Sequence, residues 1–385
     1  MNDPLDILEA DDAAREKAQQ QSAHEAKGGV RHIAAVLDEA VPRLRARFEG
    51  KEKPVPLKPW PTLAEKLGGG LWPGVHLLVG GTGSGKSQFA FQAAVTAAAS
   101  GTPVLYAGLE LGPIDLSARI LSVVDRERKN PPFWSKIFLG QTQVDDADIE
   151  AAKKLPLYAT TPGAHAWGAD DLKSAVAEVR AQHPEKTPGC LPLLVVVDFL
   201  QLIGDDEEKE LRIRIAKATY AARAVSQEHN AAVLLVSSTA RENYAQLGSG
   251  AKERDSGRTQ LALGEGHPGR LVGLGKESGE LEYSAETVLV LGRSGDMKIN
   301  GAKCDRVHLA IAKGRAVKPD WVELWFTGNV FLDAAVGRLN PKTKIEEVAT
   351  EDDSGKSAQP EAKRPSKGAE DKSIAKGLPT AGRDA

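Results

Sequence analysis

Gly80-Gly81-Thr82-Gly83-Ser84-Gly85-Lys86-Ser87 is the stretch from which the rest of the chain can be read. It satisfies G-x-x-x-x-G-K-[ST] at every position. The run before it, Val75 to Val79, reads as a buried strand, and Gln88 to Ala99, small and apolar, reads as a helix. Strand, glycine loop and helix in that order make a phosphate cradle. The backbone N–H groups of Gly81, Thr82, Gly83, Ser84 and Gly85 can curl around an anion, and the helix N-terminus adds partial positive charge. Lys86 is placed to reach the β- and γ-phosphates, and the Ser87 hydroxyl to ligate Mg2+. The competing reading, a glycine turn ahead of an ordinary helix, does not explain why all three parts stand in register. The expected cofactors are ATP and Mg2+, although such a loop reads phosphates and not the base.

The 385 residues carry a net charge of -3, so any nucleic-acid contact must be local rather than a property of the whole surface. Two cysteines, Cys190 and Cys304, lie far apart without Cys or His company, which suits a reducing cytosol and indicates neither a disulfide framework nor a zinc site. The start, MNDPLDILEADDAAREKAQQQ, is too acidic and polar for a secretory leader. No run approaches the about 18 apolar residues of a membrane span. The expectation is a soluble cytoplasmic protein.

Residues 1–29 form a polar N-terminal segment. Over 30–49 the apolar positions Ile33, Val36, Leu37, Ala40, Val41, Leu44 and Phe48 recur at helical spacing, with Pro42 a point of interruption. This amphipathic helix packs either on its own domain or on another subunit, since periodicity shows a buried face but not its partner. Residues 50–61 are a proline-rich connector, and the compact domain is expected over 62–340. Strands are expected at Val75–Val79, Pro103–Ala107, Pro156–Thr160, Leu193–Val197, Ala232–Ser237, Thr287–Leu291, Val307–Ala312, Trp321–Phe326 and Val330–Leu332, with helices at 88–99, 114–127, 169–182 and 209–229. Continuous apolar strands alternating with helices indicate an α/β fold with a mostly parallel sheet covered on both faces. The last four strands lack intervening helices and predict an antiparallel ending. Residues 341–385 have almost no aliphatics and are expected to be disordered.

Further candidates for chemistry sit at strand ends. Leu193 to Val197 is aliphatic and ends in Asp198, a carboxylate at the edge where α/β ligands bind, able to hold the shell of Mg2+ beside Ser87. Glu110 ends the strand VLYAGLE, expected beside the first strand, where it can polarise an attacking water or merely cap a helix. Ser237, Ser238 and Thr239 end another strand and either sense the γ-phosphate or simply terminate it. Residues 242–275, glycine-rich with Lys252, Arg254, Arg258 and Arg270, form a long loop that either follows a phosphate backbone or is plainly solvated. Lys313 and Arg315, on a strand-end turn, either complete an active site or are ordinary exposed bases; an arginine fork suits transition-state charge.

Taken together these pieces resemble the ATPase domain of the DnaB-like hexameric replicative helicases, within the wider RecA and KaiC group. The specific matches are Val196-Val197-Asp198-Phe199-Leu200-Gln201-Leu202-Ile203 and Lys276-Glu277-Ser278-Gly279-Glu280-Leu281-Glu282, supported by Gly108-Leu109-Glu110 and Lys313-Gly314-Arg315. The resemblance implies a RecA-like P-loop NTPase core preceded by a linker helix, residues 30–49, that docks on the adjacent subunit. It implies a homo-hexamer that hydrolyses ATP, translocates on single-stranded DNA and unwinds duplex. Glu110 would be the catalytic glutamate, Lys313 and Arg315 would reach the neighbouring subunit's ATP, and Lys276, Glu277 and Gly279 would touch the DNA backbone. Ser238 stands where the family has a glutamine, and Lys276 where it has an arginine. Residues 1–29 are too polar to supply the family's globular N-terminal domain, so no primase or loader partner is assigned. A RecA- or KaiC-like switch ATPase that does not unwind is the second reading, and a ring scaffold with little turnover the third.

Overall fold

The computed structural model describes residues 30–124, 132–160, 167–185, 191–198, 200, 210–239, 263–273 and 279–347. The chain divides into Met1–Val348, which holds every described residue, and Ala349–Ala385, which lies outside them. The strands are β1 (Gly74–Gly80), β2 (Val104–Gly108), β3 (Leu157–Thr160), β4 (Leu193–Asp198), β5 (Ala231–Ser238), β6 (Thr287–Ile299), β7 (Ala302–Gly314), β8 (Asp320–Phe326), β9 (Phe331–Asp333) and β10 (Ile345–Glu347). They form one sheet in the order β3-β2-β4-β5-β1-β6-β7-β8-β9, with β10 on the free side of β6. The pairs from β3 through to β6 are parallel, and those beyond are antiparallel. This is the mostly parallel RecA-like sheet with an antiparallel ending that the sequence predicts.

Alternation along the strands builds two apolar layers. Val75, Leu77 and Val79 of β1 join Leu193, Val195 and Val197 of β4 on one face, covered by α7 (Ala169–Gln182) and α8 (Leu211–Glu228). Leu78, Tyr106, Leu194 and Val196 point to the other face, covered by α3 (Lys86–Ala98). Every residue of α3 but Ser87 is buried, which its run of alanines permits. Its two glutamines are satisfied by strand-like bonds. Gln88 donates to the Asn329 carbonyl at 2.7 Å, while Gln92 donates to Phe331 O at 2.9 Å and accepts from Phe331 N at 2.7 Å.

Four expectations need correction. The strand ending at Glu110 does not neighbour β1: β4 and β5 lie between them, because α3 crosses that face and carries the chain out to β2. The connector 50–61 is part of the compact unit. Val55, Leu57 and Trp60 are buried, and Trp60 stacks on Phe89 with ring centroids 4.0 Å apart and donates to Phe331 O. The helix expected over 114–127 is α4 (Pro113–Leu121), with residues 125–131 outside the described ones. Finally, β10 lies inside the segment 341–385 expected to be disordered. It exists because β6 and β7 run well beyond Leu291 and Val307 as a hairpin turning at Asn300-Gly301, both at positive φ (52° and 81°) as a two-residue turn requires. Arg293 with Asp305 (2.7 Å) and Lys303 with Asp296 (3.1 Å) hold its polar legs together.

Further short helices are α2 (Pro61–Lys66), α5 (Trp134–Phe138), α6 (Asp146–Lys153), α9 (Gly279–Ser284) and α10 (Ala334–Leu339). Among the described residues no helix is long and apolar enough to cross a membrane.

The expected amphipathic helix is α1 (Ile33–Phe48), which runs through Pro42 and has no buried residue. Ile33, Leu37, Leu44 and Phe48 are all exposed. Its C-terminal turn is tied down by Arg43 and Arg47, both on the Glu52 carboxylate at 2.6 and 2.9 Å, and by Arg43 on Asn230 Oδ1 at 2.8 Å. Burial alone would raise the Glu52 carboxyl; the Arg47 and Arg43 guanidiniums outweigh it and hold it below the usual carboxylate range. Glu52→Gln removes that charge and should cost about 1–3 kcal/mol. Trypsin should then cut after Arg43, Arg45 or Arg47 faster than in the wild type; equal cleavage would mean that α1 is held by something else.

Candidate nucleotide-binding site

The C-terminal ends of the parallel strands converge. Gly80 at the end of β1 pairs with Ser238 at the end of β5, and Gly108 of β2 pairs with Asp198 of β4. The sheet therefore brings Lys86, Ser87, Asp198, Glu110 and Ser238 to one edge, as the sequence predicts, with Glu110 exposed just past β2. The phosphate loop is packed tightly at its two ends, while Thr82 and Gly83 at its tip are exposed. A Cβ at Gly80 would lie 2.7 Å from Leu291 O, and one at Gly85, which has φ 93°, would lie 2.7 Å from Phe331 Cζ. Glycine is needed at both for the chain to pass.

Lys86 folds back over this loop and donates to Gly81 O at 2.8 Å. Burial pushes its ammonium down to about 8, against the pull of Asp198 and Glu110. An incoming polyphosphate would strengthen its hold on that proton. The Ser84 hydroxyl is buried with no hydrogen-bond partner, as is that of Thr239, whose N–H donates to Gly80 O at 3.2 Å. Orphaned donors beside a glycine loop are what an anion site leaves when described without its ligand.

Ser87 Oγ donates to Asp198 Oδ1 at 3.0 Å, and Tyr106 OH donates to Asp198 Oδ2 at 2.6 Å. Burial raises the Asp198 carboxyl, while Tyr106, Ser87, Arg119 and Lys86 pull it back. A hydroxyl and one carboxylate so close suit Mg2+, which takes few protein ligands and completes its shell with water and phosphate oxygens. The pair Ser87 and Asp198 is therefore the candidate for holding the ion.

Sequence reasoning missed two members of this site. Tyr106 looks like any aromatic on an apolar strand, and its only signal is a hydroxyl on the strand beside one that ends in an acid. Arg119 lies on α4, stacks 3.9 Å over the Trp134 ring and donates to Gln88 Oε1 at 3.0 Å. A lone arginine in a helical run carries no motif.

Lys313 and Arg315 are not at this edge. Gly314 pairs with Thr287, the first residue of β6, and Arg315 lines a cavity of about 600 Å3 with Gly74 and Val75 at the start of β1. The length of β1, 7 residues, separates that edge from the phosphate loop, about 20 Å at strand rise. Lys313 Nζ donates to the carbonyls of Glu282, Tyr283 and Ala285 at 2.6, 2.7 and 3.1 Å, closing the C-terminal end of α9. Burial lowers its ammonium, and Arg315 lowers it further. Gly279 opens α9, whereas Lys276 and Glu277 lie outside the described residues, as do Lys252, Arg254 and Arg258. Part of the expected long loop is built: a 3-10 turn, Pro268–Leu271, buries Leu271, and exposes Arg270.

A nucleoside-triphosphate site of this design, on this sheet, defines the class as a RecA-like P-loop NTPase. The sequence model described as "DnaB-like helicase C terminal domain" matches residues 62–332, and the chain belongs to that family. Among solved structures it is similar to one described as an ATPase domain (TM-score 0.57, 16% identity, 77% of this chain and 98% of that one). It is also similar to a DnaB-like replicative helicase solved for its interactions with primase (TM-score 0.56, 18% identity, 77% of this chain and 66% of that one). At these identities the likeness shows the fold. No curated protein matches the sequence.

Lys86→Ala should abolish nucleotide turnover; retained hydrolysis would remove the phosphate-loop assignment. Tyr106→Phe should keep turnover at saturating magnesium but raise the magnesium needed for half-maximal rate about tenfold or more. An unchanged magnesium titration would show that the tyrosine does not orient Asp198.

Proposed function

We propose that the chain is the subunit of an ATP-hydrolysing ring, a hexamer, that translocates on single-stranded DNA and unwinds duplex DNA. The observation that carries this reading is that Lys86, Asp198 and Glu110 stand at one edge of the sheet while Lys313 and Arg315 stand at the opposite one. Residues 81–87 would bind the phosphates of ATP. Ser87 and Asp198 would hold Mg2+, which supplies positive charge against the phosphate oxygens. Glu110, exposed at the same edge, would accept the proton of the attacking water. Lys313 and Arg315 would serve the nucleotide of the next copy, since no rotation of either side chain spans β1. The head-to-tail contact this demands is the kind that closes a ring. The uncovered apolar face of α1 supports the same reading, because an adjacent subunit would bury it. Lys276, Glu277 and Gly279 would meet the DNA backbone just ahead of α9.

A switch ATPase of RecA or KaiC type is the second reading. Ser238 favours a third, a ring scaffold with little turnover, because a short hydroxyl beside Gly80 reaches the phosphates less far than a long amide would.

ATPase rate with and without single-stranded DNA, on protein whose mass is measured in the same sample, separates the first two. A hexamer with DNA-stimulated turnover is expected; turnover indifferent to DNA would favour the switch. Arg315→Ala should cut turnover and leave ATP binding intact. Mixed with Glu110→Ala subunits it should regain activity, and no recovery would argue against a site shared between copies.

A further inference from the structure

The cavity at the start of β1 contains a second guanidinium that no motif announces. It is lined by Gly74, Val75, Tyr220, Arg223, Glu286 and Arg315 among others. Arg223, half-buried on α8, donates through Nη2 to the Ser284 carbonyl at 3.2 Å. Arg315 donates through its own Nη2 to that same carbonyl at 3.3 Å and lies 3.5 Å from the Glu286 carboxylate. Glu286 is already engaged by the Val75 N–H at 2.7 Å. Arg223 has no carboxylate partner among the described residues.

Two permanently charged forks therefore converge on one neutral oxygen, with Lys313 behind them on the same helix end. Guanidiniums repel one another at such range and gain little from sharing a carbonyl. The arrangement becomes favourable when an anion enters the cavity and takes a fork from each. Arginine suits this because its planar donors match phosphate oxygens in pairs. Tyr220 is 70% exposed on the same helix, one turn before Arg223, and leaves the mouth of the cavity open.

We propose that Arg223 is a second arginine of this edge, contacting the phosphates of the nucleotide held by the neighbouring copy, alongside Arg315. The proposal rests on the reading of a site shared between copies and adds a contact from α8 to it. Glu286 then acts as the local counter-charge that Arg315 exchanges for phosphate when the ring closes.

The test is turnover in mixed rings, with ring mass measured in each sample. Arg223→Ala alone should lower turnover about tenfold while nucleotide binding at saturating magnesium stays close to wild type, and Arg223→Lys should fall between. In a one-to-one mixture with Glu110→Ala, about a quarter of the head-to-tail interfaces combine an intact Glu110 with an intact Arg223. Activity should rise toward that fraction of wild type. A purely structural role would leave the mixture at or below the turnover of Arg223→Ala alone, because the defect would travel with the subunit. Full turnover by Arg223→Ala, or no recovery in its mixture while Arg315→Ala recovers, overturns this proposal and leaves the shared site standing. Failure of both mixtures overturns the shared site, and this proposal with it.

Discussion

The structure depends on one buried cation at the start of its most buried helix. Lys86 begins α3, whose other residues apart from Ser87 are all packed inside. An ammonium there loses its water, and what replaces it is a glycine carbonyl and the field of Asp198 and Glu110. Those groups offset the loss only in part, as the lowered affinity of Lys86 for its proton shows. The chain keeps the strain local by packing around it tightly: Phe331 against Gly85, Trp60 stacked on Phe89, and β9 bonded to Gln92. A polyanion supplies what the site lacks, so fold and ligand preference share one cause. Packing that would otherwise serve stability alone also fixes the cradle in advance of binding.

The sheet then acts as a ruler. Because β1 and β6 are parallel and β7 returns antiparallel, Gly314 must arrive at the edge opposite the phosphate loop. Lys313, Arg315 and Arg223 gather there around the end of α9 and the start of β1. A change at Ser284 or Glu286 would therefore be felt along α9 within two turns, through hydrogen bonds to its last carbonyls. The end of that short helix is thus held by three cations, through the carbonyls of Glu282, Tyr283, Ser284 and Ala285.

The phosphate loop, the strand ending in Asp198 and the mostly parallel character of the sheet were legible because each rests on local chemistry: glycine at forced turns, aliphatics in covered strands, an acid at a strand end; the order of the strands, with β4 and β5 between β1 and β2, was not. What escaped was set by distance in the chain. Tyr106 meets Asp198 from the neighbouring strand, 92 residues earlier in the chain, and Trp60 meets Phe89 and Phe331 from a segment that prolines make look like a spacer. The hairpin beyond Leu291 was hidden for a different reason. Its legs are polar, held by cross-strand ion pairs and a turn, and hydrophobic periodicity sees neither; Asn300-Gly301 was the available sign.

Helix α1 shows the limit from the other side. Its apolar spacing was legible, and among the described residues nothing buries that face. A free helix of this length is marginal in water, and the proline inside it removes one hydrogen-bond donor. Arg43 and Arg47 hold only its last turn, on a carboxylate that belongs to the compact unit. One fixed end and one uncovered face describe an arm rather than a member of the core. Periodicity thus shows that Ile33, Leu37 and Leu44 share a face, and leaves to the assembly what that face meets.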